Sequence, residues 1–174
     1  MRNIILIGFM GTGKTTIAMK LVNMLKMRYV STDDLIEKKE KATINEIFTK
    51  KGEEYFRDIE SEAVQEACAM DNVVIDMGGG AVMRDENWEK MSTCGTVICL
   101  KADEETIMKR TKKYKHRPLL NVEDPKQKIR SLLARRASFY ARAGNCIDTG
   151  KLTVRQAVDR IIKIIGSTGK EENV

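Results

Sequence analysis

Asn3-Ile4-Ile5-Leu6-Ile7-Gly8-Phe9-Met10-Gly11-Thr12-Gly13-Lys14-Thr15-Thr16 decides the fold. The unbroken apolar run Ile4 to Ile7 reads as a strand buried on both faces, the pattern of a parallel sheet covered by helices. Ile17, Ala18, Leu21, Val22 and Leu25 then recur at helical spacing. Between strand and helix lies G-x-x-x-x-G-K-[ST], from Gly8 to Thr15. Glycines there let the backbone wrap closely enough for successive N–H groups to face phosphate oxygens, and the helix that follows adds partial positive charge. The mechanism of the motif places Lys14 on the β- and γ-phosphates and the Thr15 hydroxyl on Mg²⁺. Gly11, Thr12, Gly13, Lys14, Thr15 and Thr16 are therefore the expected nucleotide contacts. A bare glycine turn would not explain why the motif follows a buried strand and opens a helix.

Outward from this point, apolar runs alternate with amphipathic segments, which predicts an α/β fold with a parallel sheet. Tyr29-Val30, Val73-Val74-Ile75, Val97-Ile98-Cys99-Leu100 and Cys146-Ile147 read as further strands. Thr43 with Glu46 fits a capping box and opens a helix that ends near Gly52, with a longer one from about Glu53 to Met70. Residues 103–112 read as helix, Ile129, Leu132, Leu133, Ala137 and Tyr140 mark another, and Val154, Ala157, Val158, Ile161, Ile162 and Ile165 make an apolar stripe on the last. Residues 1–166 form one expected domain, followed by a polar tail over 167–174.

Composition narrows the function. The chain has 174 residues, 42 % of them hydrophobic and 32 % charged, which fits a globular fold with one core. No apolar run approaches the roughly 20 residues of a membrane span. The first apolar stretch is too short for a signal peptide and has no cleavage site, so a cytoplasmic protein is expected. Cys68, Cys94, Cys99 and Cys146 show no metal-ligand rhythm, and His116 is the one histidine, which fits reduced thiols and no zinc site. The net charge is +6, and Lys109, Arg110, Lys112, Lys113, Lys115 and Arg117 cluster. Aromatic residues, 5 % of the chain, do not interleave with that cluster, so a nucleic-acid platform is poorly supported and a phosphate site fits better. A small chain with its P-loop at the first strand points to a small kinase rather than a large motor.

Four features describe the acceptor side. Ser31-Thr32-Asp33-Asp34 follows the second strand, where carboxyl ends of strands line a ligand crevice. A carboxylate there can orient an acceptor hydroxyl or take its proton, and either Asp could instead cap the next helix. Arg57 and Glu60 lie three apart on one helix face, which suits an anion grip held by a carboxylate and equally a surface ion pair. Asp76-Met77-Gly78-Gly79-Gly80 follows the third strand; the glycines permit close ligand approach, and Asp76 ends an apolar strand as a magnesium-supporting carboxylate does. Arg136 falls on the apolar stripe of its helix, where a charge is costly unless paired, by a ligand carboxylate or by snorkelling to the rim.

Taken together these pieces resemble the shikimate kinase family over about residues 3–166. The carrying motifs are GFMGTGKTT at 8–16, TD at 32–33, FRDIE at 56–60, GGGAV at 78–82, RPLL at 117–120 and RRASFY at 135–140. The resemblance implies a three-layer P-loop fold with a five-stranded sheet in the order 2-3-1-4-5 and a mobile lid over 112–124. It implies transfer of the γ-phosphoryl group of ATP, with Mg²⁺, to the 3-hydroxyl of shikimate, in the route to chorismate, by a monomer. The shikimate-binding segment is expected over about 32–61. Asp33 becomes the candidate base; Arg57 and Arg136 the carboxylate grip, with Glu60 orienting Arg57; Gly78, Gly79 and Gly80 the wall against the acceptor. Arg117 becomes a lid residue reaching the ATP phosphates, and Arg110 a neighbour of the adenine. One departure stands out. Many members have DTD where this chain has Ser31-Thr32-Asp33, and a small or hydroxyl residue where it has Asp76. Asp76 is therefore expected to supply, with Thr15, the metal carboxylate that Ser31 lacks, with Asp34 as the other candidate. The rival readings are a related small-acceptor kinase, such as a gluconate kinase, and a non-catalytic nucleotide-binding module.

Overall fold

The computed structural model describes residues 2–112 and 124–171. Arg117 and most of the expected lid lie outside the described residues. The elements run β1 (Asn3–Gly8), α1 (Lys14–Leu25), β2 (Arg28–Ser31), α2 (Thr32–Glu40), α3 (Ile44–Cys68), β3 (Val73–Asp76), a 3₁₀ turn at Ala81–Met83, α4 (Asp85–Cys94), β4 (Gly95–Lys101), α5 (Glu104–Thr111), α6 (Pro125–Ala141), β5 (Cys146–Asp148) and α7 (Val154–Glu171). All strand pairings are parallel, and the order is β2-β3-β1-β4-β5, as the family resemblance implies.

β1 is the central strand and is buried along its whole length. Its side chains alternate between two cores. Ile5 and Ile7 pack with Val73, Ile75 and Val97 against α3, α4, α5 and α6. Ile4 and Leu6 pack with Val74, Ile98 and Leu100 against α1 and α7. This explains the unbroken apolar run, because a strand covered on both faces has no polar side to alternate with. Truncating Ile5 or Leu6 to Ala would cost about 2–5 kcal/mol.

A third, smaller core lies beside the sheet. Ile36 of α2 packs there with Ile47, Phe56, Ile59 and Ala63 of α3. α3 opens with the expected capping box between Thr43 and Glu46. It breaks at Gly52, whose φ of 83° and ψ of 175° are not helical, so the two helices expected on either side of Gly52 are the arms of one kinked element. Both arms pack on α2, the first through Ile47 and the second through Phe56, Ile59 and Ala63, and the second continues over the sheet through Val64 and Ala67. α6 starts at Pro125, with Asp124 as its cap. α4 has no counterpart in the sequence reading, and α7 continues to Glu171, into the stretch 167–174 read there as a tail.

Candidate active site

The buried end of β1 delivers the chain into Gly8, whose φ of 144° suits glycine and whose added Cβ would collide with the Leu100 carbonyl oxygen. The loop then turns into α1 through Gly13, in the left-handed region. The first turn of α1 has no side-chain cap and no acidic residue, so its N–H groups and positive dipole end face the loop. The buried Thr12 braces the loop by donating from Oγ1 to the Phe9 carbonyl at 2.7 Å. Lys14 Nζ lies inside the curl and donates to the Gly8 carbonyl at 2.9 Å. Thr16 is exposed on α1. The outer rim is tied to the far edge of the sheet. Arg110 of α5 donates to Gly11 O at 3.2 Å and to Thr149 Oγ1 and O at 3.1 and 2.9 Å, and Thr149 Oγ1 donates to Thr12 O at 2.8 Å.

A cavity of about 550 Å³ opens beside Lys14 and Thr15 and is walled by Asp33, Arg57, Gly79 and Arg136. It is assembled from four separate segments. Arg57, 8 % exposed, donates through one terminal nitrogen to Glu60 and through the other to Glu53 at 3.3 Å. Burial pushes the Glu60 carboxyl up, and the Arg57 guanidinium pulls it back down. Arg136, 4 % exposed, reaches from α6 to the Gly79 carbonyl at 3.2 Å and stands over the Phe9 ring. One turn further along α6, Tyr140 donates to the same carbonyl at 2.6 Å. Among the described residues, the Nε atoms of Arg57 and Arg136 are buried with no hydrogen-bond partner. Two guanidiniums lining one cavity form a cationic wall suited to an anion.

The triple glycine is shaped by these neighbours. A Cβ on Gly78 would stand 2.8 Å from both Asp33 Oδ1 and Glu60 Oε1, and one on Gly80 would stand 2.7 Å from Arg57 Cζ. The Gly78 N–H donates to Thr32 Oγ1 at 2.8 Å, locking the glycine run to the start of α2, where Asp33 sits.

The third corner joins the two halves. Asp76 Oδ2 accepts from Thr15 Oγ1 at 2.6 Å and from the Tyr29 hydroxyl at 3.2 Å. Burial first, and then the Asp76 carboxylate, push the Tyr29 phenol up to about 12, so it remains a donor at neutral pH. Ser31 and Asp76 are paired across the β2–β3 ladder. Ser31 Oγ accepts from the Asp34 N–H at 3.1 Å and is the N-cap of α2. The capping role that the sequence reading offered to Asp33 or Asp34 therefore belongs to Ser31, two residues before Asp33, because the helix begins at Thr32. A hydroxyl and a carboxylate at 2.6 Å on the cavity wall are hard oxygen donors of the kind Mg²⁺ takes.

Of the residues singled out from sequence, Lys14, Thr15, Asp33, Arg57, the three glycines, Asp76 and Arg136 line this one cavity. Gly11, Thr12, Gly13 and Arg110 form the P-loop and its brace. Tyr29 and Thr149 were not foreseen. The residues 10–166 match the shikimate kinase family model. The chain belongs to the shikimate kinase family. A shikimate kinase of Thermodesulfovibrio yellowstonii is 44 % identical over 163 residues, 94 % of each chain. The solved shikimate kinase of Acinetobacter baumannii, in complex with shikimate, superposes with a TM-score of 0.92 at 37 % identity, covering 97 % of this chain and 94 % of that one. The enzyme of Aquifex aeolicus superposes at 0.83 with 32 % identity, covering 96 % and 98 %. Membership of the shikimate kinases sets aside the gluconate-kinase and binding-module readings.

Proposed function

We infer that this chain transfers the terminal phosphoryl group of ATP to the 3-hydroxyl of shikimate. The observation that carries the reading is the pair of guanidiniums, Arg57 and Arg136, lining the same cavity as the P-loop lysine. Shikimate is a cyclic polyol with one carboxylate. Its carboxylate fits between the two guanidiniums, and its ring fits against the flat wall of Gly78 to Gly80.

The chain's residues act by positioning and electrostatics. The P-loop N–H groups and Lys14 hold the transferring phosphate and offset its charge. Asp33 orients the acceptor hydroxyl and takes its proton. Glu60 and Glu53 keep Arg57 in place, and Tyr140 keeps the Gly79 carbonyl facing Arg136. Arg110 lies on the adenine side of the loop. Thr15 and Asp76 would hold Mg²⁺, which supplies charge neutralisation between the phosphates. The family resemblance points to a monomer. The free thiols suit a reducing cytoplasm, and among the described residues no helix is long and apolar enough to cross a membrane.

The test is coupled ADP release against a panel of hydroxy acids that includes shikimate and gluconate. Shikimate alone should drive turnover. Arg136→Ala should raise the shikimate KM by about 10–100-fold, the loss of charge-assisted hydrogen bonds, with the ATP KM unchanged. A normal shikimate KM in that variant removes Arg136 from the grip.

A further inference from the structure

A carboxylate at the end of a strand has freedom about two torsions, and a metal ligand needs that freedom removed. Asp76 is the last residue of β3, and its neighbour across the ladder, Ser31, is engaged in capping α2 and offers no charge. Two hydroxyls converge on Asp76 Oδ2, one from Thr15 and one from Tyr29. The Thr15 hydroxyl is itself a metal-site group, so it cannot serve as an independent anchor. Tyr29 can. It sits two residues before Ser31 on β2, its ring packs against the core shared by β1, α1 and α7, and its hydroxyl reaches across to the end of β3.

We propose that Tyr29 is a positioning residue for the metal site: its hydroxyl holds the Asp76 carboxylate toward Thr15, so that the carboxylate carried by β3 serves the corner that β2 leaves uncharged at Ser31. This rests on the assignment of Thr15 and Asp76 to Mg²⁺. The chemistry suits the task. A phenol donates one hydrogen bond without adding charge, so it fixes the carboxylate and leaves its negative charge for the cation. An ammonium or guanidinium in its place would compete with the metal. The arrangement also separates tasks between paired positions: Ser31 starts α2 and thereby places Asp33, while Asp76 serves the cation.

The experiment is a double-mutant cycle on Tyr29→Phe and Asp76→Asn, read by Mn²⁺ binding to the enzyme–ADP complex by electron paramagnetic resonance and, in parallel, by the Mg²⁺ dependence of turnover. Tyr29→Phe removes one oxygen and leaves the ring in its packing. It should weaken Mn²⁺ binding about tenfold, as the loss of one hydrogen bond to a charged acceptor does, with the shikimate KM and the thermal midpoint close to wild type. In the Asp76→Asn background the same change should add less than about twofold, because the group it orients is no longer a charged ligand. Placing a carboxylate on β2, Ser31→Asp in an Asp76→Ala enzyme, should recover Mn²⁺ binding, since Asp also caps a helix; no recovery would show that the corner does not hold the metal and would overturn the proposal. If Asp76→Asn weakens Mn²⁺ binding and Tyr29→Phe does not, the positioning role is wrong and the metal assignment stands. If Asp76→Asn leaves Mn²⁺ binding unchanged, the metal assignment itself is wrong. Equal losses from Tyr29→Phe with and without Asp76 would mark a merely structural effect and overturn the proposal.

Discussion

A methyl group added at Gly8 would run into the Leu100 carbonyl oxygen, and one added at Gly80 into the guanidinium of Arg57, whose Cζ it would meet at 2.7 Å. The two glycines stand at the ends of neighbouring regions and are small for different reasons. On the phosphate side the neighbour is backbone of β4, part of the sheet itself. On the acceptor side the neighbour is a side chain held by Glu60 and Glu53. The phosphate site is thus a backbone object: its donors are N–H groups, and its shape follows from the strand and helix on either side. The acceptor site is a side-chain object, gathered from α2, α3, the β3 end and α6. Backbone sites tolerate changes of surrounding side chains; side-chain sites can lose their ligand without losing the fold.

The largest departure from that contrast should come from the one side chain on which the backbone cradle depends. Lys14→Ala removes the cradle's cation, and kcat should fall by at least about 10²–10³-fold, measured in single-turnover assays at saturating ATP and shikimate. The fold should be kept, since Lys14 is part-buried and its hydrogen bonds to the Gly8 and Phe9 carbonyls lie within the loop, away from the apolar cores. A variant with near-normal kcat would mean that the N–H groups and metal alone carry the charge.

The glycine pair tests the contrast directly. Gly8→Ala should lower the thermal midpoint sharply, because neither the Leu100 carbonyl nor the left-handed φ can yield cheaply, and both substrate affinities should fall together in whatever protein remains folded. Gly80→Ala should leave the midpoint nearer wild type and raise the shikimate KM about 10²-fold, since it displaces Arg57 by an ångström or so from its seat. The pattern reversed, with Gly80→Ala unfolding the chain and Gly8→Ala changing shikimate binding alone, would refute the division into backbone and side-chain halves.

The same division explains what could be read from residues alone. The cradle was legible because it is local: strand, loop and helix are contiguous, and the motif carries its own geometry. So were the two-sided burial of β1, the Thr43–Glu46 cap and the break at Gly52. α4 was not legible, because Asp85–Cys94 buries only Asn87 and Met91 and starts without a side-chain cap, leaving almost no periodic signal. On the acceptor side the residue types were visible and their pairings were not. Tyr29 meets Asp76 across 47 positions of chain, and that contact depends on the β2–β3 register. Ser31 shows the local counterpart of the difficulty. Ser31, Asp33 and Asp34 are all good caps, and only the position at which α2 begins decides among them.

The smallest effect is expected at the seam where remote side chains brace the cradle. Thr149, 4 % exposed at the end of β5, donates to Thr12 O at 2.8 Å and accepts from Arg110 at 3.1 Å. Thr149→Val keeps the shape and removes both bonds, along with the longer contact of the same hydroxyl to the Lys101 carbonyl at 3.3 Å. The P-loop retains its strand, its helix and the Thr12–Phe9 bond, so it should stay folded and merely become less well ordered. Two lost neutral or singly charged hydrogen bonds, partly replaced by water, correspond to about 1 kcal/mol, or roughly a fivefold rise in the ATP KM. The shikimate KM should not move, because no hydrogen bond of Thr149 reaches the acceptor half. A matching rise in the shikimate KM would show that the brace at β5 orders the whole cavity, and the two halves would then have to be treated as one mechanical unit.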